Sequence, residues 1–319
     1  MELFPYKFIP YLKSVIWGGE KIAPYKKVNT PLTNIGESWE ISGVPGHESV
    51  CADRGLAQDE DKGLTLHQLI QKYGAQLLGN SVQERFGTQF PLLVKIIDAR
   101  QDLSVQVHPN DQLARERHNS PGKTEMWYII QAEPQAKIHV GLKHTVTPTD
   151  DDNQWVRSIV DAMDSYESHP GDCFFLPAGR LHAIGAGNLL AEIQQTSDIT
   201  YRVYDYDRID ADGHPRELHV QQARDAVDYS VLPDYRTSYD ANQTSAELVK
   251  CPYFTVHREQ VQGTTTIDYN CDSFVIVMCL SGEINLNGIT AHQGETLLVP
   301  ACNNRLAVTG SATLLTAHL

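Results

Sequence analysis

An internal repeat of turn residues between strand-like segments constrains the fold of this chain more than any other feature. In the first half, Gly171 is followed six residues later by Pro177, and in the second half Gly294 is followed six residues later by Pro300. Glycine and proline at fixed offsets mark turns, and the apolar residues between them are typical of a strand. Strand-like segments upstream of each pair also align, so we predict two β-rich units of the same topology.

Two segments depart from the strand pattern and have helical spacing. In residues 65–78 the apolar side chains recur at helical intervals, and Thr65 followed by Gln68 forms a capping box. A second helix is predicted at about 148–166, where an acidic run suits a helix N-terminus. The chain is therefore predicted to be mainly β with a few helices.

One strand-like segment, LSVQVHPND at 103–111, carries two candidate metal ligands. Gln106 and His108 are two residues apart, so on a strand they point to the same face. Glu125 and His182 follow along the chain as further candidates. Taken singly, a histidine in a strand can be a satisfied core residue and Glu125 a solvated carboxylate. The four together favour a divalent metal site, and their chemistry admits zinc, manganese, iron or cobalt.

The second copy of the repeat lacks these ligands. Arg305 stands where the first copy has His182, and no Gln-x-His segment is present in the second copy. We therefore predict one competent metal site and one degenerate, structural copy.

Charge and cysteine content limit the partners and the compartment. The formal net charge of −14 argues against binding to nucleic acid or to an anionic membrane surface. No apolar run approaches the roughly 18 residues that a membrane span requires, and the N-terminus lacks the pattern of a signal peptide. The six cysteines are scattered without a CxxC pair, as in a reduced cytoplasmic protein. An anionic substrate would need a local cluster of lysine and arginine.

The segment from Gly171 to His182 resembles the second motif of the cupin superfamily. Together with the segments LSVQVHP, GKTEMW, PAGRLHAIG and EIQQTSDITYR, the chain resembles the type I mannose-6-phosphate isomerases, and GESWEIS near the N-terminus also fits. It looks closest to the shorter bacterial branch, because the large helical insertion of the longer members is missing. The resemblance implies two cupin-like jelly-roll barrels. The expected division is a catalytic domain over residues 1–245 and a smaller, degenerate domain over 246–319.

The resemblance also implies a cofactor and a reaction. One zinc ion per chain would be held by Gln106, His108, Glu125 and His182. The implied reaction is the reversible isomerisation of mannose 6-phosphate and fructose 6-phosphate, with zinc-assisted proton transfer between C1 and C2 through an enediolate. A neutral amide ligand leaves the ion more electrophilic, which suits a Lewis acid. We expect a monomer or weak homodimer.

Three residues are the candidate catalytic groups. Glu192, on a strand after the His182 turn, is the candidate base, although it could instead be a structural partner of a nearby basic residue. Lys123 lies two residues before Glu125 and so shares its face. Arg202 matches the arginine motif of the resembled family, and its guanidinium suits a phosphate or an enediolate.

Four further residues are candidate substrate-binding groups. Ser104 shares the face of Gln106, and Asp198 could orient Arg202. Lys95 stands in an apolar strand, where it is costly unless paired, or else it is an edge-strand lysine with its ammonium in water. Arg180 would complete a local positive patch. After Arg202 the chain has VYDYDR, where longer members of the family have Gly-Leu-Thr-Pro-Lys, so the usual lysine is absent.

Two other functions remain open at this stage. The first alternative is a non-catalytic sugar-binding cupin paralogue with a regulatory or accessory role, which would need no base. The second is an iron dioxygenase of the cupin superfamily. Such enzymes place two histidines close together with a glutamate, whereas Gln106 here is the neighbour of His108.

Overall fold

A computed structural model describes residues 3–147, 149–209 and 213–319 of the chain. Strands predominate in these residues, as the sequence predicts. The strands are β1 (Tyr6–Ile9), β2 (Tyr11–Gly19), β3 (Ile35–Ile41), β4 (Val50–Cys51), β5 (Leu92–Asp98), β6 (Val105–Val107), β7 (Glu125–Ala132), β8 (Lys137–Leu142), β9 (Met163–Glu167), β10 (Cys173–Leu176), β11 (His182–Ile184), β12 (Asn188–Gln195), β13 (Tyr201–Tyr204), β14 (Ser245–Lys250), β15 (Thr255–Ile267), β16 (Val275–Leu286), β17 (Ile289–His292), β18 (Thr296–Val299) and β19 (Leu306–His318).

The helices are short and connect the strands. They are α1 (Ile22–Lys26), α2 (Leu66–Tyr73), α3 (Ala75–Leu78), α4 (Asn80–Phe86), α5 (Asp111–His118), α6 (Asp152–Asp161) and α7 (Val220–Ala226), with a 3-10 turn at Ala301–Asn303. None of the helices in the described ranges combines the length and the apolar character that a bilayer crossing requires.

Both predicted helices are present, but shorter than the sequence pattern indicates. Thr65 caps α2 and forms the expected reciprocal capping box with Gln68. The predicted helix 65–78 divides at Gly74, whose positive φ of 50° ends α2 before α3 begins. The second predicted helix, 148–166, corresponds to α6 over Asp152–Asp161. Residue 148 lies outside the described residues. The C-terminal part of the predicted range forms β9 instead, because pairing with β8 stabilises an extended backbone there.

Two antiparallel sheets form the half of the molecule that carries the candidate ligands. The six-stranded sheet has the order β10-β7-β12-β5-β3-β2, and the five-stranded sheet has the order β13-β6-β11-β8-β9. Neither sheet closes on itself. Trp127 and Ile129 of β7 share a core with Ile138 of β8 and Ile184 of β11, so the two sheets face each other across that core.

The six-stranded sheet is buried on both faces. On β7, Trp127 points toward the five-stranded sheet, whereas Met126 and Tyr128 join a second core that includes Ile276 and Met278 of β16. Because both faces are covered, every residue of β5 and β12 is buried, the polar ones included. A charged side chain in these strands is consequently held inside the protein.

A third sheet of eight strands forms the C-terminal half. Its order is β14-β15-β19-β16-β18-β1-β4, with β17 paired to β16. Strand β1 comes from the N-terminus and pairs with β18, with Tyr6 opposite Leu298. Strands β1 and β4 add to the C-terminal sheet, while β2 and β3 belong to the six-stranded sheet. The expected division into a catalytic domain over residues 1–245 and a smaller domain over 246–319 stays a prediction.

The repeat seen in the sequence has a counterpart in strand pairing. In the first half β7 lies between β10 and β12, and in the second half β16 lies between β18 and β19, all antiparallel. The glycine before each repeated strand, Gly171 or Gly294, has a positive φ of 96° or 81°. Glycine adopts this conformation without steric cost, which accounts for its place at both turns.

Candidate active site

Three neighbouring strands of the five-stranded sheet bring polar side chains to one face. Gln106 on β6 lies directly opposite His182 on β11 and, on its other side, opposite Arg202 on β13. Directly opposed residues in antiparallel strands project to the same face. The His182 ring meets the Trp127 ring edge-on at 5.2 Å between centroids, so this face looks onto the six-stranded sheet.

His108, Glu125 and His182 form a buried cluster between the two sheets. Their candidate ligand atoms all lie within 4.8 Å of one another, and none of the three residues is more than 2% exposed. Nε2 of His108 is 3.5 Å from Oε2 of Glu125, and Nε2 of His182 is 3.3 Å from Oε1. Two imidazole nitrogens and a carboxylate converge on one point, which is a donor set able to hold a divalent metal ion.

Backbone carbonyl groups fix the orientation of both imidazoles. Nδ1 of His108 lies 2.8 Å from the carbonyl oxygen of Ile199, and Nδ1 of His182 lies 2.8 Å from that of Arg180. A carbonyl oxygen only accepts, so each Nδ1 carries the proton and each Nε2 presents a lone pair to the cluster. Burial lowers the pKa of His108 to about 4, and burial also lowers the pKa of His182, so both rings are neutral near pH 7.

The Glu125 carboxylate carries the charge of the cluster. Neither of its oxygens has a hydrogen-bond partner among the described residues, although the Lys123 ammonium is 2.7 Å from Oε2 and 3.1 Å from Nε2 of His108. Burial acts to raise the pKa of Glu125, but Lys123 and the His108 ring outweigh it and hold that pKa well below its usual range. A buried carboxylate whose Oε1 faces an imidazole lone pair, with a single ammonium at Oε2, fits a metal ligand, because a bound cation would compensate further for its desolvation.

Gln106 lies beside this cluster. Its Nε2 is 3.2 Å from Nε2 of His182, and its Oε1 accepts from the Ser104 hydroxyl at 3.4 Å. A half-turn of the amide exchanges its oxygen and nitrogen and brings the oxygen next to the His182 lone pair. The fourth candidate ligand is therefore within reach, with Ser104 on the same face.

The face of the six-stranded sheet that is turned toward the His108, Glu125 and His182 cluster carries a buried group of ion pairs. Lys95 on β5 lies opposite Glu192 on β12, with Nζ 3.2 Å from Oε1 of Glu192 and 3.7 Å from Oε2 of Glu37. The Trp127 indole donates to Oε2 of Glu192 at 2.8 Å. Burial opposes the charged form of Lys95, but Glu192 and Glu37 outweigh it and raise its pKa. The edge-strand interpretation of Lys95 is wrong, since β5 is an interior strand and Lys95 is 7% exposed.

The remaining candidates have contacts with other residues or with solvent. Arg202 shares the face of Gln106, and the hydrogen bond described for its side chain goes from Nη1 to the carbonyl oxygen of Glu217 at 2.7 Å. Asp198 is exposed. The Arg180 guanidinium stacks 4.8 Å from the Tyr235 ring and is 3.8 Å from Asp228. The roles assigned to these residues stay predictions.

Sequence reasoning missed Glu37 and Trp127 as neighbours of the candidate base. Glu37 lies in the GESWEIS segment, two residues before Trp39, and Trp39 is directly opposite Lys95. A lysine in an apolar strand indicates that a carboxylate partner exists, but only the pairing of β3 with β5 identifies Glu37 as one of the partners of Lys95. Trp127 lies opposite Glu192 in the same way, on β7.

The second copy of the repeat differs at the equivalent positions. In the first half Glu125 lies opposite Leu176, and in the second half Val275 lies opposite Val299. Arg305 is exposed and points toward Asp268, 3.9 Å away. Within the described part of the chain, His108, Glu125 and His182 are the one metal-competent cluster of histidine, cysteine and carboxylate groups.

Comparison with known proteins gives a consistent result. Residues 6–129 match a family model described as phosphomannose isomerase type I, catalytic domain, and residues 244–319 match one described as mannose-6-phosphate isomerase, cupin domain. The chain is 34% identical to mannose-6-phosphate isomerase ManA of Bacillus subtilis, with 100% of both chains covered. It is 32% identical to the mannose-6-phosphate isomerase of Streptococcus mutans, over 95% of this chain and 94% of that protein.

A solved structure agrees with the sequence matches. The crystal structure of the mannose 6-phosphate isomerase from Bacillus subtilis superposes with a TM-score of 0.84 at 31% identity, covering 99% of each chain. The mainly β, two-unit cupin architecture predicted from the sequence is thereby confirmed. Relatives that match from end to end, together with both family models, show that this chain belongs to the type I mannose-6-phosphate isomerase family.

Proposed function

We propose that this protein catalyses the reversible isomerisation of mannose 6-phosphate and fructose 6-phosphate with one zinc ion per chain. The observation that carries the proposal is the placement of a charged pair, Lys95 and Glu192, on the wall facing the buried His108, Glu125 and His182 cluster. A binding protein needs a pocket but no proton-transfer group. Family membership and this pair favour the enzyme over the non-catalytic paralogue.

The residues around the cluster supply the remaining requirements of the reaction. Zinc held by Gln106, His108, Glu125 and His182 would stabilise negative charge on the substrate oxygens at C1 and C2. For mannose 6-phosphate, Glu192 takes the proton from C2 and returns it to C1, while the hydroxyl proton of the C2 oxygen passes to the C1 oxygen. Lys95 with Trp127 fixes the orientation of the Glu192 carboxylate. Lys123, whose ammonium lies 2.7 Å from Oε2 of Glu125, would donate to a substrate oxygen beside the cluster. The neutral imidazoles leave both Nε2 atoms available as ligands.

Three finer assignments belong to the same proposal. The substrate is a hexose phosphate, with Ser104, Asp198 and Arg180 as further binding groups. The protein acts in the cytoplasm as a monomer or weak homodimer. Light scattering of the purified protein at several concentrations would measure the assembly state, and a stable higher oligomer would contradict it.

Removing the metal should abolish the reaction. A coupled assay that reports fructose 6-phosphate formed from mannose 6-phosphate should give turnover with the purified protein and a loss of more than about a hundredfold after chelation. Added zinc should restore the rate, and metal analysis should find one zinc per chain. Turnover that survives complete metal removal, or a protein that contains iron and no zinc, would contradict the zinc-dependent isomerase.

A further inference from the structure

A cluster of arginines surrounds one buried carboxylate beside the candidate site. Asp205, which follows β13, is 5% exposed. Its Oδ1 accepts from Nη2 of Arg208 and from Nη2 of Arg216, and its Oδ2 accepts from Nε of Arg216 at 2.7 Å. Arg208 and Arg216 therefore share a single acidic partner, which holds both guanidinium groups in place.

The cluster contains three arginines and one buried aspartate, so its own charges sum to a positive value. Burial lowers the pKa of Arg202, and the charges of Arg216 and Arg208 lower it further, so the three guanidinium groups lie close enough to repel one another. Asp205 compensates for one of these charges, and the exposed Glu217 attracts Arg202 weakly. In a chain with a net charge of −14, three arginines around one carboxylate form a local positive site.

The position of the cluster connects it to the candidate ligands. Arg202 lies directly opposite Gln106 on the ligand face. Arg208 donates through Nη1 to the carbonyl oxygen of Asp102, two residues before Ser104. The positive site thus adjoins the start of β6, the strand that carries Gln106 and precedes His108.

Some N–H donors of these arginines take part in none of the hydrogen bonds described within the cluster. Nε of Arg202 is buried and has no hydrogen-bond partner among the described residues. The hydrogen bonds described for Arg216 use Nε and Nη2, which leaves Nη1 available. Guanidinium groups bind phosphate oxygens through paired N–H donors at fixed geometry, so these unused donors match a phosphoryl group.

We propose that Arg202 and Arg216, the latter held in position by Asp205, bind the phosphoryl group of the substrate. The assignment rests on the proposed function and supplies the anion-binding groups that the absence of the usual lysine after Arg202 leaves open. The VYDYDR segment contributes Asp205 and Arg208, whereas Arg202 precedes the segment and Arg216 follows it. Asp205 accepts from Arg216 and so orients it. Asp205 acts as a positioning residue and does not itself contact the substrate.

Direct binding of inorganic phosphate to the full-length holoprotein tests this assignment without requiring turnover. By calorimetry, we expect Arg216→Gln to weaken phosphate binding about tenfold to a hundredfold, because a charge-assisted pair of hydrogen bonds is lost. In the coupled assay the same variant should raise the KM for mannose 6-phosphate by a similar factor, with kcat within about threefold. Arg117→Gln is the matched control, because Arg117 pairs with Asp225 outside the cluster and its loss removes the same net charge.

Each outcome decides the assignment. Phosphate binding that is unchanged in Arg216→Gln, equally weakened in Arg117→Gln, or absent from the parent protein would overturn it. If Arg216→Gln does not fold, Arg216→Lys tests the assignment instead, because lysine keeps the charge but lacks the paired donors. We expect Arg216→Lys to weaken phosphate binding severalfold. An unaltered affinity would overturn the assignment. A parent protein that binds phosphate through Arg216 but shows no isomerisation would refute the proposed function and leave the anion site standing.

Discussion

Replacing His182 by alanine should remove the bound metal and the isomerase activity together. The Nε2 atom of His182 is 3.3 Å from Glu125 and faces the cluster because its Nδ1 is held by the carbonyl of Arg180. Changing a group that only orients a ligand already costs about 10- to 100-fold in metal affinity or activity. Loss of a ligand itself should therefore reduce metal affinity by more than about a hundredfold and kcat at least in parallel.

Arg305→Ala is the matched control, since it occupies the repeat position that corresponds to His182. Its side chain is 74% exposed and 3.9 Å from Asp268, so we expect metal content and kcat close to those of the parent protein. Added zinc should raise the melting temperature of the parent and of Arg305→Ala, because a ligand that binds only the folded state stabilises it. The same addition should leave His182→Ala nearly unchanged. Equal losses of metal in both variants would disprove the idea that the second copy is degenerate.

Local sequence patterns predicted those features of the site that depend on one strand or one turn. The two-residue period predicted that Gln106 and His108 share a face, and both side chains lie beside His182. The capping box at Thr65 was found where α2 begins. These features need no knowledge of distant residues, because side-chain alternation and capping are set within a few residues of the chain.

Features that depend on long-range pairing could not be predicted in this way. Lys95 and Glu37 meet only because β3 pairs with β5, and β1 joins the C-terminal sheet through β18, almost three hundred residues away. Local pattern does not specify which of many compatible strands pair. The Asp205 cluster likewise depends on a contact between Asp205 and Arg216, which are eleven residues apart in the chain. A buried charge in a sequence predicts that a partner exists, but the fold selects which residue it is.

The environment of Glu192 gives the second prediction and separates two interpretations of that residue. As a base, Glu192 needs its carboxylate; as a structural partner of Lys95, it needs only to fill its place in the ion-pair cluster. Glu192→Gln keeps the size of the side chain and can still accept from the Trp127 indole, which now bonds to Oε2 at 2.8 Å. We expect the variant to retain its metal and to lose about 10²- to 10⁴-fold in kcat, the usual contribution of a positioned proton-transfer group, with a much smaller change in KM.

Glu37→Gln separates chemistry from the electrostatic stabilisation of Lys95. Glu37 is the other carboxylate near the Lys95 ammonium, at 3.7 Å, so its replacement removes a comparable charge from the same cluster. Both variants should lower stability, because each leaves a buried cation with one partner fewer. If Glu192 is the base, kcat should fall far more in Glu192→Gln than in Glu37→Gln, even where the two melting temperatures are similar. An unchanged kcat in Glu192→Gln, or losses of kcat that simply follow the loss of stability in both variants, would assign Glu192 to the structure of the site rather than to proton transfer.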